Sequence, residues 1–510
     1  MPLEVLLFIS YYLTTPDYCN LRQSCKHIEA SLHSSFAKEY FSKRQFVLTE
    51  FSLQALVDIS RCKFSPYLTH VILAAERPVW ARPHTFPAVD SAAEATRRLR
   101  MRQEYSSHIN LINFSQDLEM LADAFSNLPN LDTIGIRDFN SRSRFRDQPL
   151  VEWRSYGATT YQRDTGLALA RPASTVAFGH GSPQLVLDNN WPWYEARLFA
   201  GLLQALGKSG SRPKRFEVIL RHHGLFDVAF NLPRFSEPFN DSVLARLDTL
   251  FLDLSDDFIP AMTRSGPDQT PSNCTNYFLR AFLSKLPALS SLRLNFANCD
   301  RHRTCDFLLW LAALLPLSAA AGSATATTAA TTGAALAGSM QRTGTDAGVN
   351  LSPPPPVSFS KLKQLDLGKV SIRVDILTDL VTKYEASLQG LSFYNVILMG
   401  KMHSSHPYLD LEEALRHFIK SDVALTSLKL DSVYNDHGPS LQTLPVRFNA
   451  TARSRDWRGK DKENGLKEMV SSMVIDWPDS EDESMDDSDE MGSGEDSDDE
   501  DDEDDDGDGE

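Results

Sequence analysis

The chain opens with apolar residues at helical spacing. Val5, Leu6, Ile9 and Leu13 recur at intervals that bring them to one face of a helix. Thr14-Thr15-Pro16-Asp17 interrupts the run, and Asp17 is suited to cap a second helix carrying Leu21, Cys25 and Ile28 at i, i+4 and i+7. Two such short helices leave much apolar surface uncovered, so the unit calls for a partner. Residues 33–46 read as a further helical piece, and residues 69–73 as a short strand.

Beyond this the period changes. Leu128, Leu131, Ile134 and Ile136 form a first group; Leu247, Leu250, Leu252 and Leu254 a second; Leu289, Leu292, Leu294 and Phe296 a third. Leu362, Leu365 and Leu367, then Leu388, Leu391 and Phe393, then Leu425, Leu428 and Leu430 repeat the pattern. Each group fits L-x-x-L-x-L, the leucine-rich-repeat pattern. Residues two apart point to one side of a strand, and the Leu three earlier turns into the same core. Parallel strands stacked repeat on repeat would then share one apolar seam. Helices are expected between copies, over 277–286, 373–384 and 409–419. The copies are unevenly spaced, so insertions must loop out. One covers about 140–183, and another, rich in Ala, Thr and Gly and closing on Pro353 to Pro356, covers about 318–356 and is expected to be disordered.

The first residues resemble an F-box, the small helical unit that docks a protein onto the Skp-type adaptor of a cullin-RING ubiquitin ligase. The resemblance rests on Pro2, Leu3, Glu4, Val5, Leu6, Ile9, Leu13, Asp17, Leu21, Arg22, Cys25 and Lys26. Met1 stands where the family opens with Leu, and Ile28 where it usually has Trp. An F-box ahead of degenerate leucine-rich repeats, with Ile136-Arg-Asp138-Phe-Asn140-Ser-Arg142-Ser-Arg144-Phe-Arg146-Asp147 and then Trp153-Arg-Ser-Tyr156-Gly157, is similar to a large group of filamentous-fungal F-box proteins. The resemblance implies a non-enzymatic substrate receptor. It would bridge the adaptor, and through it a cullin, to a protein substrate, with Pro2, Leu3, Val5, Leu6, Ile9, Leu13, Leu21, Cys25 and Ile28 as the apolar adaptor-contact set. The alternative is a leucine-rich-repeat scaffold working outside any ligase.

Composition changes the picture in one respect. Of the 68 acidic residues, twenty-one lie between Asp479 and Glu510, where no Lys or Arg occurs, so the other 47 face 51 basic residues. The net charge of -17 is therefore a property of the tail, and the rest of the chain is close to neutral. Such charge density repels itself and keeps the tail unfolded. Ser480, Ser484, Ser493 and Ser497 each have Asp or Glu three residues on, a pattern suited to an acidophilic kinase. Six cysteines without a leader-like start suggest a reducing compartment, cytoplasmic or nuclear, with thiols packed as small apolar groups. No apolar run is long enough to span a bilayer, and no membrane contact is expected.

Little else carries chemistry. The stretch from Gly201 to Gly207-Lys208-Ser209 has one residue too many between its glycines for a phosphate loop, and Gly207 suits a helix C-terminus. Cys299, His302 and Cys305 are only three metal-ligand types, and a repeat position accounts for Cys299. His180, His222 and His223 lack a nucleophile pattern, and Arg97, Arg98, Arg100 and Arg102 suit a solvated helical face rather than a nucleic-acid site. No catalytic residue, cofactor, metal or nucleic acid is expected. The expected fold is α/β: a helical F-box over 1–45, an irregular leucine-rich-repeat solenoid with its insertions over 46–440, a linker or short helical cap over 441–478 and a disordered acidic tail over 479–510.

Overall fold

Nine strands run parallel, side by side, in the order in which the chain makes them: β1 (Lys43–Val47), β2 (His70–Ala74), β3 (Thr133–Arg137), β4 (Arg215–Ile219), β5 (Thr249–Ser255), β6 (Ser291–Ala297), β7 (Gln364–Arg373), β8 (Gly390–Met399) and β9 (Ser427–Asp436). The computed structural model describes residues 2–78, 92–141, 146–147, 152–171, 191–222, 224–255, 276–297, 301–314, 354–400, 410–436, 443–449 and 451–475, all within the unit Met1–Ile475.

Two in-register rows of side chains explain the stacking. One row is Phe46, Leu73, Ile136, Val218, Leu252, Leu294, Leu367, Phe393 and Leu430. The other runs from Val71 through Ile134, Phe216, Leu250, Leu292, Leu365 and Leu391 to Leu428. All of these residues are buried in one continuous core. Each such side chain is worth about 1.5–3 kcal/mol when buried. A one-residue slip would turn a whole row to the other face, so the pattern fixes the register.

The L-x-x-L-x-L segments supply six of these strands, as expected. Strands β1, β2 and β4 use the same geometry with other residues: Leu68, Val71 and Leu73 in β2, and Phe216 and Val218 in β4. The long gap between Leu131 and Leu247 thus contains a further strand. Residues 33–46 are not one helix; the helix stops at Phe41 and β1 begins at Lys43.

Midway along β7, β8 and β9, Lys369, Asn395 and Ser432 all take φ in the left-handed region, at 52°, 51° and 51°. The pairing skips from Gly368 and Tyr394 to Val370 and Val396, and from Tyr394 and Asp431 to Val396 and Val433, so the three left-handed residues align without changing the register. The left-handed residue shifts the alternation by one, which returns Val370, Ile372, Val396, Leu398 and Val433 to the core.

Crossover helices lie between the strands: α4 (Glu50–Ser60), α5 (Ala92–Asn113) and α6 (Gln116–Ser126), α7 (Ala158–Thr165) and α8 (Trp191–Ser209), α9 (Glu237–Leu244), α10 (Tyr277–Leu283), α11 (Arg301–Ala312), α12 (Val374–Lys383) and α13 (Asp410–Lys420). Most form one layer in which α4 packs on α6, α6 on α8, α8 on α9, α11 on α12 and α12 on α13. The layer has a recurring polar fastening: a cation reaches the C-terminal carbonyls of an earlier helix. Lys383 donates to the carbonyls of Leu311 and Ala313, and Arg197 to that of Ile112. Helix α7 is different. Ala158, Tyr161 and Leu169 pack on Val47 and Ala74, covering the opposite face of the sheet at its first strands.

The chain after residue 441, expected as a linker or short helical cap, carries three strands and one helix over its described residues. Strands β10 (Thr443–Phe448) and β11 (Ser454–Arg458) both pair antiparallel with β9, and β12 (Met473–Ile475) pairs antiparallel with β10. The helix between them, α14 (Lys462–Ser472), packs on α13, where Lys462 donates to the carbonyls of Ser421 and Val423. Among the described residues no helix is long and apolar enough to cross a membrane.

Gly207 is not the helix end that the sequence suggests. Helix α8 continues to Ser209, and the left-handed residue is Gly210, at φ 70°. Gly207 instead lets α9 approach: a Cβ there would lie 2.5 Å from the Cβ of Phe239 and 2.8 Å from its backbone. Backbone cannot swing aside as a side chain can. Gly207→Ala should therefore lower unfolding free energy by about 1–3 kcal/mol, the usual cost of overpacking. Denaturant melts will show this, and a wild-type midpoint would count against the close approach.

Candidate functional site

Three helices precede the sheet: α1 (Leu3–Tyr11), α2 (Thr15–Ser24) and α3 (Lys26–Phe41). Thr14, rather than Asp17, caps α2. Its hydroxyl oxygen accepts from the Asp17 amide at 3.4 Å and donates to the Asp17 carboxylate at 2.7 Å. Cys25 does not continue α2. It sits between the helices at φ −160°, and its thiol accepts from the Ile28 amide to cap α3. Leu21 and Ile28 therefore belong to different helices.

Leu6, Tyr18, Leu32 and Tyr40 close a small core of this helical unit, with Leu7, Leu13, Leu21, Ile28 and Phe36 half-buried around it. The Phe36 and Tyr40 rings stack at 4.6 Å, and the Arg22 guanidinium lies 3.4 Å from the Phe36 centroid. Among the residues expected to face outward, Leu6 is the correction: at 2% exposure it is core, because it points at Tyr18 and Leu32. Leu13, Leu21 and Ile28 are half-buried, Pro2 and Cys25 exposed.

The outer side of α1 is apolar too. Val5 is 45% exposed, Phe8 66%, Ile9 39% and Tyr12 70%, at i, i+3, i+4 and i+7, with Leu3 and Tyr11 at the margins. Phe8 and Tyr12 meet edge to face at 5.2 Å. The sequence reading missed Phe8, Tyr11 and Tyr12. Their signal was present: a helix apolar all round either is buried or has a partner.

The stretch read as a looped-out insertion near 140–183 is, where described, a joint. Tyr156 extends the sheet past β1, its amide donating to the Gln45 carbonyl at 2.8 Å. Ser52 holds the Tyr156 carbonyl at 2.8 Å. Trp153 packs on Tyr40 at 5.9 Å and under Arg44 at 5.0 Å. Arg146 reaches into the helical unit, where Glu39 is its ion partner.

A second concentration of polar groups sits at the C-terminal ends of β2, β3 and β4. Asp138, fully buried, accepts from the amides of Arg221 and His222 and from the His222 ring at 2.9 Å. Glu76 accepts from Arg171 at 2.6 Å and from Ser155 at 3.3 Å. His108 donates from Nδ1 to the Leu48 carbonyl, and burial holds it down to about 4, so it is neutral. Glu195 is fully buried without a hydrogen-bond partner on either oxygen, and burial, with Asp138 nearby, pushes it up to about 8. Through these bonds Asp138 fastens the chain after β4.

The sheet face opposite the helix layer is polar between β3 and β9. Arg137 and His70 each lie 3.7 Å from Glu217, and Arg293 lies over Phe251 at 5.9 Å. Burial, with Lys43, Arg137 and Arg215 adding to it, keeps His70 well below its usual value and therefore uncharged.

Other sequence candidates disperse. Arg97, Arg98, Arg100 and Arg102 lie on α5, and all but Arg98 are exposed. Cys19, Cys25, Cys62 and Cys305 are free thiols, and none of these four is fully buried, contrary to the packed thiols expected. Among the described residues no group of three or more His, Cys, Asp or Glu could hold a metal ion. Cys299, His180 and His223, the stretch 318–353, and Ser480, Ser484, Ser493 and Ser497 lie outside the described residues. No protein-family model matches the chain, and no curated protein matches it.

Glu195 has a sign that can be tested. Its folded value is raised above the ordinary 4.5, so its contribution is present below pH 4.5 and is lost as pH rises toward 8. Glu195→Gln should flatten that dependence. Its stability relative to wild type should improve with rising pH across this window, by up to about 1.4 kcal/mol per pH unit. Parallel pH–stability curves for the two proteins would refute the buried acid.

Proposed function

We propose that the chain is a substrate receptor of an SCF-type cullin-RING ubiquitin ligase, with its N-terminal helices as an F-box and its sheet as an irregular leucine-rich solenoid. One observation carries the reading: α1 presents Val5, Phe8, Ile9 and Tyr12 outward although Leu6, Tyr18, Leu32 and Tyr40 already close the helical unit's core. An apolar stripe that the fold does not use is a docking surface by its physics. The motif residues around it name the partner's class, a Skp-type adaptor. The parallel strands in chain order, with in-register L-x-x-L-x-L rows, support the solenoid.

The polar sheet face, with half-buried Arg293 on β6 and exposed Lys429 on β9, would then present the substrate. The receptor's work is proximity: it raises the local concentration of a substrate lysine near the ubiquitin-carrying enzyme. No side chain of this chain need break a bond.

The adaptor surface is testable through its exposed aromatics, which the fold does not need. The double substitution Phe8→Ala, Tyr12→Ala should keep wild-type melting and lose adaptor binding by about 100-fold or more, since interface anchors cost ~2 kcal/mol or more apiece. Titration of each protein with a purified Skp-type adaptor measures it. Undiminished binding, or no binding by wild type, would refute the proposal.

A further inference from the structure

Helix α1 is thinly held by apolar contacts. Only Leu6 and Ser10 are buried along it, with Leu7 half-buried. A helix so attached would open easily, because local stability follows buried contacts. What completes its attachment comes from far along the chain.

Arg146, whose side chain is 4% exposed, grips α1 and α3 at once. Its Nε donates to one Glu39 oxygen at 2.5 Å and its Nη2 to the other at 2.9 Å. Its Nη1 donates to the Ser10 carbonyl in the last turn of α1 and, at 3.4 Å, to that of Leu13 just beyond the helix. The guanidinium lies 4.5 Å from the centre of the buried Tyr18 ring on α2. All three helices therefore meet one side chain. The next residue, Asp147, accepts from the Trp153 indole at 3.2 Å, and Trp153 and Tyr156 carry the connection to β1.

We infer that Arg146 is a positioning residue that locks the α1 docking face onto the sheet, so that adaptor and substrate face are held at a fixed angle. The chemistry requires arginine: a planar fork pairs with a carboxylate through two nitrogens while the third serves helix carbonyls, which a lysine ammonium cannot do in one geometry. Glu39 supplies the carboxylate, and the carbonyls at the end of α1 supply the negative end of the helix dipole. A docking helix ordered in advance avoids paying its ordering cost on binding. The inference rests on the adaptor reading only for the identity of the ligand.

The test uses hydrogen exchange on the free full-length chain, for wild type, Arg146→Ala, Arg146→Lys and Glu39→Gln. Arg146→Ala should speed exchange of α1 amides tenfold or more while β5 to β9 keep wild-type protection. Arg146→Lys should recover part of that protection. Should Arg146→Ala fail to fold, Glu39→Gln carries the same comparison, with a smaller rise confined to α1 and α3. Wild-type protection of α1 in these variants, or a loss spread evenly over the sheet, would overturn the inference. A second arm measures affinity for a purified Skp-type adaptor, which should weaken about tenfold in Arg146→Ala and less in Arg146→Lys; unchanged affinity would remove the positioning role. If wild type itself does not bind the adaptor, the docking proposal falls, and the exchange result still decides whether Arg146 holds α1.

Discussion

The fold depends on side chains of like polarity meeting in register across parallel strands. Parallel neighbours cannot be joined by a tight turn, so each strand is separated from the next by a crossover that contributes nothing to alignment. Alignment must come from the strands. Here Leu294 between Leu252 and Leu367, and Leu292 between Leu250 and Leu365, supply it. Once those rows are set, helices such as α12 and α13 have one face to cover, and they cover it in chain order.

The same constraint explains what the sequence disclosed. Where a strand uses Leu at all three positions, as in 362–367 or 425–430, the pattern is visible without knowing its neighbours. In β4 the positions hold Phe216 and Val218, equally apolar and β-favouring, and they fit because Leu250, Leu252, Ile134 and Ile136 flank them. That context is three-dimensional and leaves no local trace. Helix α1 was legible as an amphipathic element but not as to which face turns inward. The choice of Leu6 over Phe8 is made by Tyr18, Leu32 and Tyr40, contributed by other helices. Thr14 and Cys25 as caps were open to a closer local reading, since both precede a helix by the usual one position.

A parallel array has two ends, and both need closure, because an open strand edge offers unpaired amides and carbonyls. At the late end β10 and β11 pair antiparallel with β9, and β12 extends β10. At the early end Tyr156 takes the Gln45 carbonyl of β1. The segment carrying Tyr156 also carries Trp153 and Arg146, so edge closure and attachment of the helical unit are one device. The boundary expected at residue 45 is accordingly crossed twice: by β1 itself, and by a stretch that leaves after β3 and returns.

Charge is placed by the same economy. Cations that could sit in water instead meet helix carbonyls: Arg146 at α1, Arg197 at α5, Lys383 at α11, Lys462 at α13. Each satisfies groups that a helix end leaves orphaned, and each ties two elements that apolar contact alone would let slide. Such ties suit a long array, whose stability is a sum of neighbour-to-neighbour terms and which can therefore fray at any weak junction. Glu195 is the exception, a buried acid with no donor. Its neutral form is tolerated where an ionised one would not be, since burial penalises only the charge. The junction of β2, β3 and β4 with α8 is thus sensitive to alkali, while the helical unit, tied by an always-charged arginine, keeps its fastening across the same range.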